Sequence, residues 1–130
     1  MARPSSRHPT ELELEILKIL WGQGPLPIKQ VRDALAGFRD LAVASVTTIM
    51  NIMVAKKYLS RTKQHGRYVY RPRVSQAKTV GRILTDVVDR AFDGSPAAVM
   101  LTLLETADLS DAEIGKIQAF LDRQKGTEAS

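Results

Sequence analysis

Ser45, Thr47, Thr48 and Asn51 place three hydroxyls and one carboxamide within seven residues, with no charge among them. Hydroxyls can bond several bases, and an Asn carboxamide can pair bidentately with adenine, so these side chains suit the reading of base edges in duplex DNA. Downstream lie Lys56, Arg61, Lys63, Arg67 and Arg71. Their chemistry is phosphate positioning, which sets affinity rather than sequence choice. The blander reading is a solvated helix face beside a solvated hairpin. Against it stands the charge pattern: Leu41 to Thr85 carries nine Lys and Arg and no Asp or Glu. The stretch is also rich in Val, Ile, Met, Leu and Tyr, so it folds rather than trails. A folded surface that excludes carboxylates over such a length is suited to a polyanion, and each phosphate it neutralises releases counterions.

These side chains need elements to hold them. Thr10 and Glu13 form a T-x-x-E capping box, and Leu12, Ile16, Leu17, Ile19 and Leu20 follow at helical spacing. Gly22 and Gly24-Pro25 end this first helix. Pro27 suits a first helical turn, so a short second helix is expected from about Pro27 to Ala36, with Ile28, Val31 and Leu35 inward. A third helix is expected from Val43 or Ala44 to Lys57. Its Val46, Ile49, Met50, Met53 and Val54 face the core, with the two methionines as filler. Its other face, Ala44 to Ile52, is small and polar enough to sit close against another surface.

Leu59–Gln64 and Arg67–Arg71 should then pair as a hairpin across His65-Gly66. Tyr68 and Tyr70 share one face of the second strand and are expected to pack on the third helix. Trp21 is expected between helices. Ser75 caps a helix to Phe92, Ser95-Pro96 opens another to about Thr106, and Ser110 and Glu113 form a second capping box. The expected fold class is mainly α with a small β-hairpin: a winged helix-turn-helix followed by a helical dimerisation domain. The expected boundaries are a flexible arm over 1–9, the winged helix over 10–74, the dimerisation domain over 75–125 and a frayed tail over 126–130. Arg3 and Arg7 in the arm read better as a floppy tail than as minor-groove contacts.

Charge supports two jobs. The net charge is +5. Residues 1–74 hold 13 Lys and Arg against 5 Asp and Glu, while residues 75–130 hold 6 against 9. The basic part meets phosphate and the acidic part meets protein. Val99, Leu101, Leu103, Leu104 and Leu109 crowd more apolar surface than a short helix pair can bury, which a homodimer interface would cover. The chain has no cysteine, which removes disulfides and thiolate metal sites and fits a cytoplasmic location. No apolar run approaches the roughly 20 residues of a membrane helix, so no membrane insertion is expected. His8 and His65 have no partner cluster, so neither a metal nor another cofactor is expected.

The runs Leu41-Ala-x-Ala-Ser-Val-x-Thr-Ile-Met-Asn51, Lys57-Tyr-Leu and Gly66-Arg-x-Val-Tyr70-x-Pro72 resemble the penicillinase-repressor family of BlaI/MecI/CopY type. So do Thr10-Glu-Leu-Glu-Leu-Glu-Ile-Leu with Leu20-Trp21 and Gly24-Pro25, and, further on, Phe92-Asp-Gly-Ser-Pro96, Leu103-Leu-Glu105 and Asp108-Leu-Ser-x-x-Glu-Ile114. The resemblance spans about residues 9–125. It implies a bacterial repressor that binds a double-stranded inverted-repeat operator as a homodimer, with antibiotic-resistance or related stress genes as targets. It also implies, as a partner, a membrane receptor-protease or another protease acting in the C-terminal domain. Three positions depart from the family pattern. Thr102-Leu103 stands where the penicillinase branch is cut at Asn-Phe, so the chain should resist a protease of that specificity. The Cys-x-Cys tail of the copper branch is missing. Ile52 replaces the Arg that often follows the recognition-helix Asn, which removes a contact or changes operator choice.

Other classes are weaker. An enzyme finds no Gly-rich phosphate loop, nucleophile or metal-ligand spacing. A winged-helix protein-interaction module without DNA sequence specificity remains the alternative. An RNA-binding winged helix is disfavoured by the scarcity of aromatic side chains for base stacking.

Overall fold

The computed structural model describes residues 8–129. The expected arm lies almost wholly outside the described residues, Arg3 and Arg7 included. Three helices come first, α1 (Glu11–Gln23), α2 (Ile28–Leu35) and α3 (Val43–Ala55). The hairpin strands β1 (Leu59–Gln64) and β2 (Arg67–Pro72) follow, then α4 (Gln76–Ala91), α5 (Pro96–Thr106) and α6 (Asp111–Ala129). This is the expected mainly α fold with one hairpin.

One compact unit runs through Thr85 and a second begins at Asp86, so the division falls inside α4. The first turns of α4 stay with the hairpin end for local reasons. Ser75 caps the helix by accepting from the Lys78 N–H at 3.2 Å. Thr79 is buried and donates to the Ser75 carbonyl at 2.7 Å. Trp21 Nε1–H donates to the neighbouring Val74 carbonyl at 3.0 Å, which ties this corner to α1.

The first unit has one core. Ile16, Leu17 and Leu20 of α1 meet Val31 and Leu35 of α2, Val46, Met50 and Met53 of α3, and Leu59 and Tyr70 of the hairpin. The spacing of three and four along each helix puts these residues on a single stripe. α1 begins with the full capping box: the Glu13 N–H donates to Thr10 Oγ1 and the Thr10 N–H donates to Glu13 Oε1.

α3 stops at Ala55, short of the expected Lys57. Lys57 takes φ 68°, the Tyr58 N–H donates to the Met53 carbonyl and the Lys57 N–H to that of Val54. These bonds form a Schellman cap, with a lysine where glycine usually sits. At the other end of the hairpin, His65 and Gly66 both have positive φ, 51° and 79°. That is the type I′ turn whose twist matches the strands. β1 and β2 run antiparallel from Leu59 opposite Pro72 to Gln64 opposite Arg67.

A third short segment joins this sheet. Leu26 exchanges both backbone hydrogen bonds with Tyr70, at 2.9 and 3.1 Å. Its neighbours Pro25 and Pro27 would turn their backbone toward the open side, where neither has an N–H to offer. The segment is therefore a single bridge with a blunted outer edge.

Tyr68 and Tyr70 do not share the expected burial. Tyr70 is 1% exposed, whereas Tyr68 is 45% exposed and lies beyond the core, nearer the turn. In the second unit Ser95 caps α5 through the Ala98 N–H, and Ser110 caps α6 through the Glu113 N–H. α6 continues through Gly126 to Ala129. A single helix-interior glycine costs only about 1 kcal/mol relative to alanine.

Candidate nucleic-acid interface

Burying Val46, Met50 and Met53 turns the opposite side of α3 outward. Ala44, Ser45, Thr48, Asn51, Ile52 and Ala55 are exposed, and Thr47 is half-buried. The expected base-reading residues thus lie on the outward side, in three different hydrogen-bonding states. Thr47 and Thr48 donate to the Val43 and Ala44 carbonyls of their own helix at 2.8 and 3.1 Å, and each hydroxyl oxygen can still accept. The Ser45 hydroxyl makes no hydrogen bond within the described residues. Asn51 reaches the hairpin: its Oδ1 accepts from Arg61 Nη1 at 2.7 Å and from the Tyr70 hydroxyl at 3.2 Å. The Arg61 guanidinium stacks over the Tyr68 ring, 4.6 Å from its centroid. Strand and helix therefore present their polar groups as one surface.

The cations divide as well. Among the described residues, Lys63 and Arg67 are exposed and free of ion pairs, and Arg71 reaches Thr62 at 3.5 Å. Lys56 faces inward. Its ammonium lies 2.9 and 3.2 Å from the two oxygens of Glu13, a carboxylate whose side chain is 5% exposed. The amphipathic Lys56 is thus the counterion of a buried acid. Its partner lies 43 positions away in sequence, which no local pattern reveals. Nearby, burial raises the pKa of Tyr58 above its ordinary value and the Glu13 charge adds to this, while Lys56 and Arg82 pull it down.

Sequence reasoning missed Lys29. With Pro27, Ile28, Val43, Thr47, Arg67 and Tyr68 it lines a concavity of about 270 Å³ between the start of α2, the start of α3 and the hairpin. Lys78 and Arg82, counted in the basic stretch but given no individual role there, line a second concavity of about 390 Å³ with Arg73. Among the described residues no group of His, Cys, Asp or Glu could hold a metal ion, and no helix is long and apolar enough to cross a membrane.

In the second unit, Leu101, Leu103 and Leu104 are 52–59% exposed, and Val99 and Leu109 are half-buried. From residue 86 to 126 no residue is buried. Thr102-Leu103 lies within α5.

The profile of the penicillinase repressor family matches residues 9–123. The chain belongs to that family. It is 22% identical over 116 residues to the penicillinase repressor of Bacillus licheniformis, covering 89% of this chain and 91% of that one. It is 26% identical over 105 residues to the transcriptional regulator BlaI of Mycobacterium tuberculosis, covering 79% and 76%. The methicillin resistance regulatory protein MecI of Staphylococcus aureus is 18% identical over 112 residues, covering 86% and 91%. The fold is shared with the transcriptional regulator Tm0710 of Thermotoga maritima, at TM-score 0.51, 21% identity and coverage of 92% and 76%. A MarR family protein of Bacillus stearothermophilus aligns at TM-score 0.50 and 16% identity, covering 94% and 76%. The chain is thus a winged-helix transcriptional regulator of a repressor family, not an enzyme.

Proposed function

We propose that the protein represses transcription by gripping an inverted-repeat operator as a homodimer in the cytoplasm. The observation that carries the reading is the joined surface of α3 and hairpin, where Asn51 is bonded to Arg61 and no carboxylate intervenes. α3 would enter the major groove with Ser45, Thr47, Thr48 and Asn51 toward the bases. Arg61, Lys63, Arg67 and Arg71 would hold phosphates. Lys56, already committed to Glu13, would not.

The dimer is supported by the second unit. A segment in which residues 86–126 bury nothing has no core of its own, and a second copy would supply one through Val99, Leu101, Leu103, Leu104 and Leu109. Two half-sites about 34–36 Å apart would then face two copies of α3. The names of the relatives favour β-lactam resistance or a related stress response as the regulated process. A protease cutting in the second unit would separate the pairing surface from the DNA grip. At Thr102-Leu103 it would have to open α5 first.

Four phosphate contacts per protomer imply a slope of log K against log salt near −7 for the dimer. Fluorescence anisotropy on labelled duplex, from low to moderate salt, measures it. Arg67→Ala should make the slope shallower by about 2, one for each copy. Salt-independent binding, no binding to any duplex, or a monomer in sedimentation at operator-saturating concentration would refute the proposal.

A further inference from the structure

Asn51 is the residue on the outward side of α3 whose amide is already divided between two partners on the hairpin. A carboxamide offers one oxygen with two lone pairs and one amino group with two hydrogens. Arg61 Nη1 donates to the oxygen at 2.7 Å and the Tyr70 hydroxyl donates at 3.2 Å. A guanidinium has no acceptor, so the atom facing Arg61 must be Oδ1, and Nδ2 must point away. Both donors are held beside Asn51 by packing of their own. The Tyr70 ring is part of the core, 1% exposed, and the Arg61 guanidinium is held against the Tyr68 ring. Both lone pairs are filled, and what remains toward solvent is a pair of N–H donors.

We infer that Asn51 reads the operator as a donor only, and so selects guanine over adenine at its position in each half-site. This rests on the proposed DNA-binding function. In the major groove guanine shows two acceptors, N7 and O6, whereas adenine shows the N7 acceptor beside the N6 amino donor. Opposite adenine, that amino group meets an oxygen with no lone pair to spare and is left unsatisfied at the interface. The adenine pairing that a carboxamide suggests in isolation is thereby reversed. Arg61 is the positioning residue. It has five N–H donors and spends one on Asn51, so it can hold a phosphate while keeping Oδ1 filled. The backbone contact and the base choice are then made through one guanidinium.

The test is selection from a randomised duplex pool with the full-length protein, its Asn51→Ala, Arg61→Ala and Tyr70→Phe variants, and the Arg61→Ala/Tyr70→Phe double variant. Guanine should exceed adenine by about ten-fold at one position per half-site, within the range for a paired base contact. Asn51→Ala should erase that ratio, and the double variant should swing it toward adenine. Loss of the Arg61 phosphate contact weakens all sequences alike, so the ratio stays readable. Adenine preferred by the wild type at the Asn51-dependent position overturns the inference, as does a ratio that the double variant leaves unchanged. Failure to bind any duplex would refute the DNA-binding reading, and the hydrogen bonds are then tested in the free protein. The Asn51 side-chain carbonyl carbon resonance should move in both Arg61→Ala and Tyr70→Phe, and an unmoved resonance sinks the arrangement.

Discussion

Replacing Lys56 with alanine separates two jobs that one lysine could hold. The Glu13 side chain is 5% exposed, and its carboxylate takes two contacts from Lys56 and one from the Thr10 N–H at 2.9 Å. Removing one member of a fully buried pair costs about 3–5 kcal/mol, because the other charge stays behind without compensation. The Lys56 side chain is 31% exposed, so water can enter its place, and the Thr10 N–H remains. Both reduce the cost to about 2–3 kcal/mol. For a cooperative unit of this size that lowers Tm by roughly 10–20 °C. Circular dichroism melting reads the loss, and anisotropy at several salt concentrations reads the DNA slope, which should stay unchanged. Glu13→Gln in the Lys56→Met background removes both charges together and should recover stability to within about 1 kcal/mol of wild type. The reasoning is refuted if Lys56→Ala melts within about 0.5 kcal/mol of wild type while its salt slope weakens by about 2, the result of losing a phosphate contact in each copy.

Three further outcomes follow from other parts of the structure. Lys57→Gly relieves a side chain from φ 68° at the end of α3 and should stabilise by about 0.5–1 kcal/mol in urea unfolding; a loss would contradict the Schellman cap. Leu103→Asp places a charge on the exposed face of α5 and should shift sedimentation to monomer and weaken operator binding, with the melting of the first unit unchanged. The raised Tyr58 pKa favours the protonated phenol in the folded state. Stability is therefore fully present below the unfolded value of about 10 and falls as pH rises through the higher folded value, a fall that Tyr58→Phe should flatten.

The helices were legible in the sequence because each carries its own punctuation. Thr10, Ser75, Ser95 and Ser110 begin helices, and the three- and four-residue spacing through Ile16, Leu17, Leu20, Val46, Met50 and Met53 names the buried stripes. His65-Gly66 announced the turn. Leu26 was not legible as a strand partner, because one residue between two prolines has no periodicity to read. Tyr68 and Tyr70 sit two apart on one face, and only the extent of the core decides that one is covered and the other supports Arg61. The candidate site was visible as a set of residue types and opaque as a circuit. Which cation is spent on Glu13, and which half of the Asn51 amide is occupied, depend on partners 43 and 10 residues away.

The borders of the small sheet have a consequence for experiments on this protein. On one side, Pro25 and Pro27 deny an incoming strand its donors. On the other, the outer strand bears Arg61 and Lys63, charges of the kind that keep foreign chains from docking there. The side chains proposed to hold phosphates therefore double as guards against sheet-mediated clumping. Charge-removing variants designed to abolish operator contact should be checked for self-association before a missing gel shift is blamed on the lost phosphate grip.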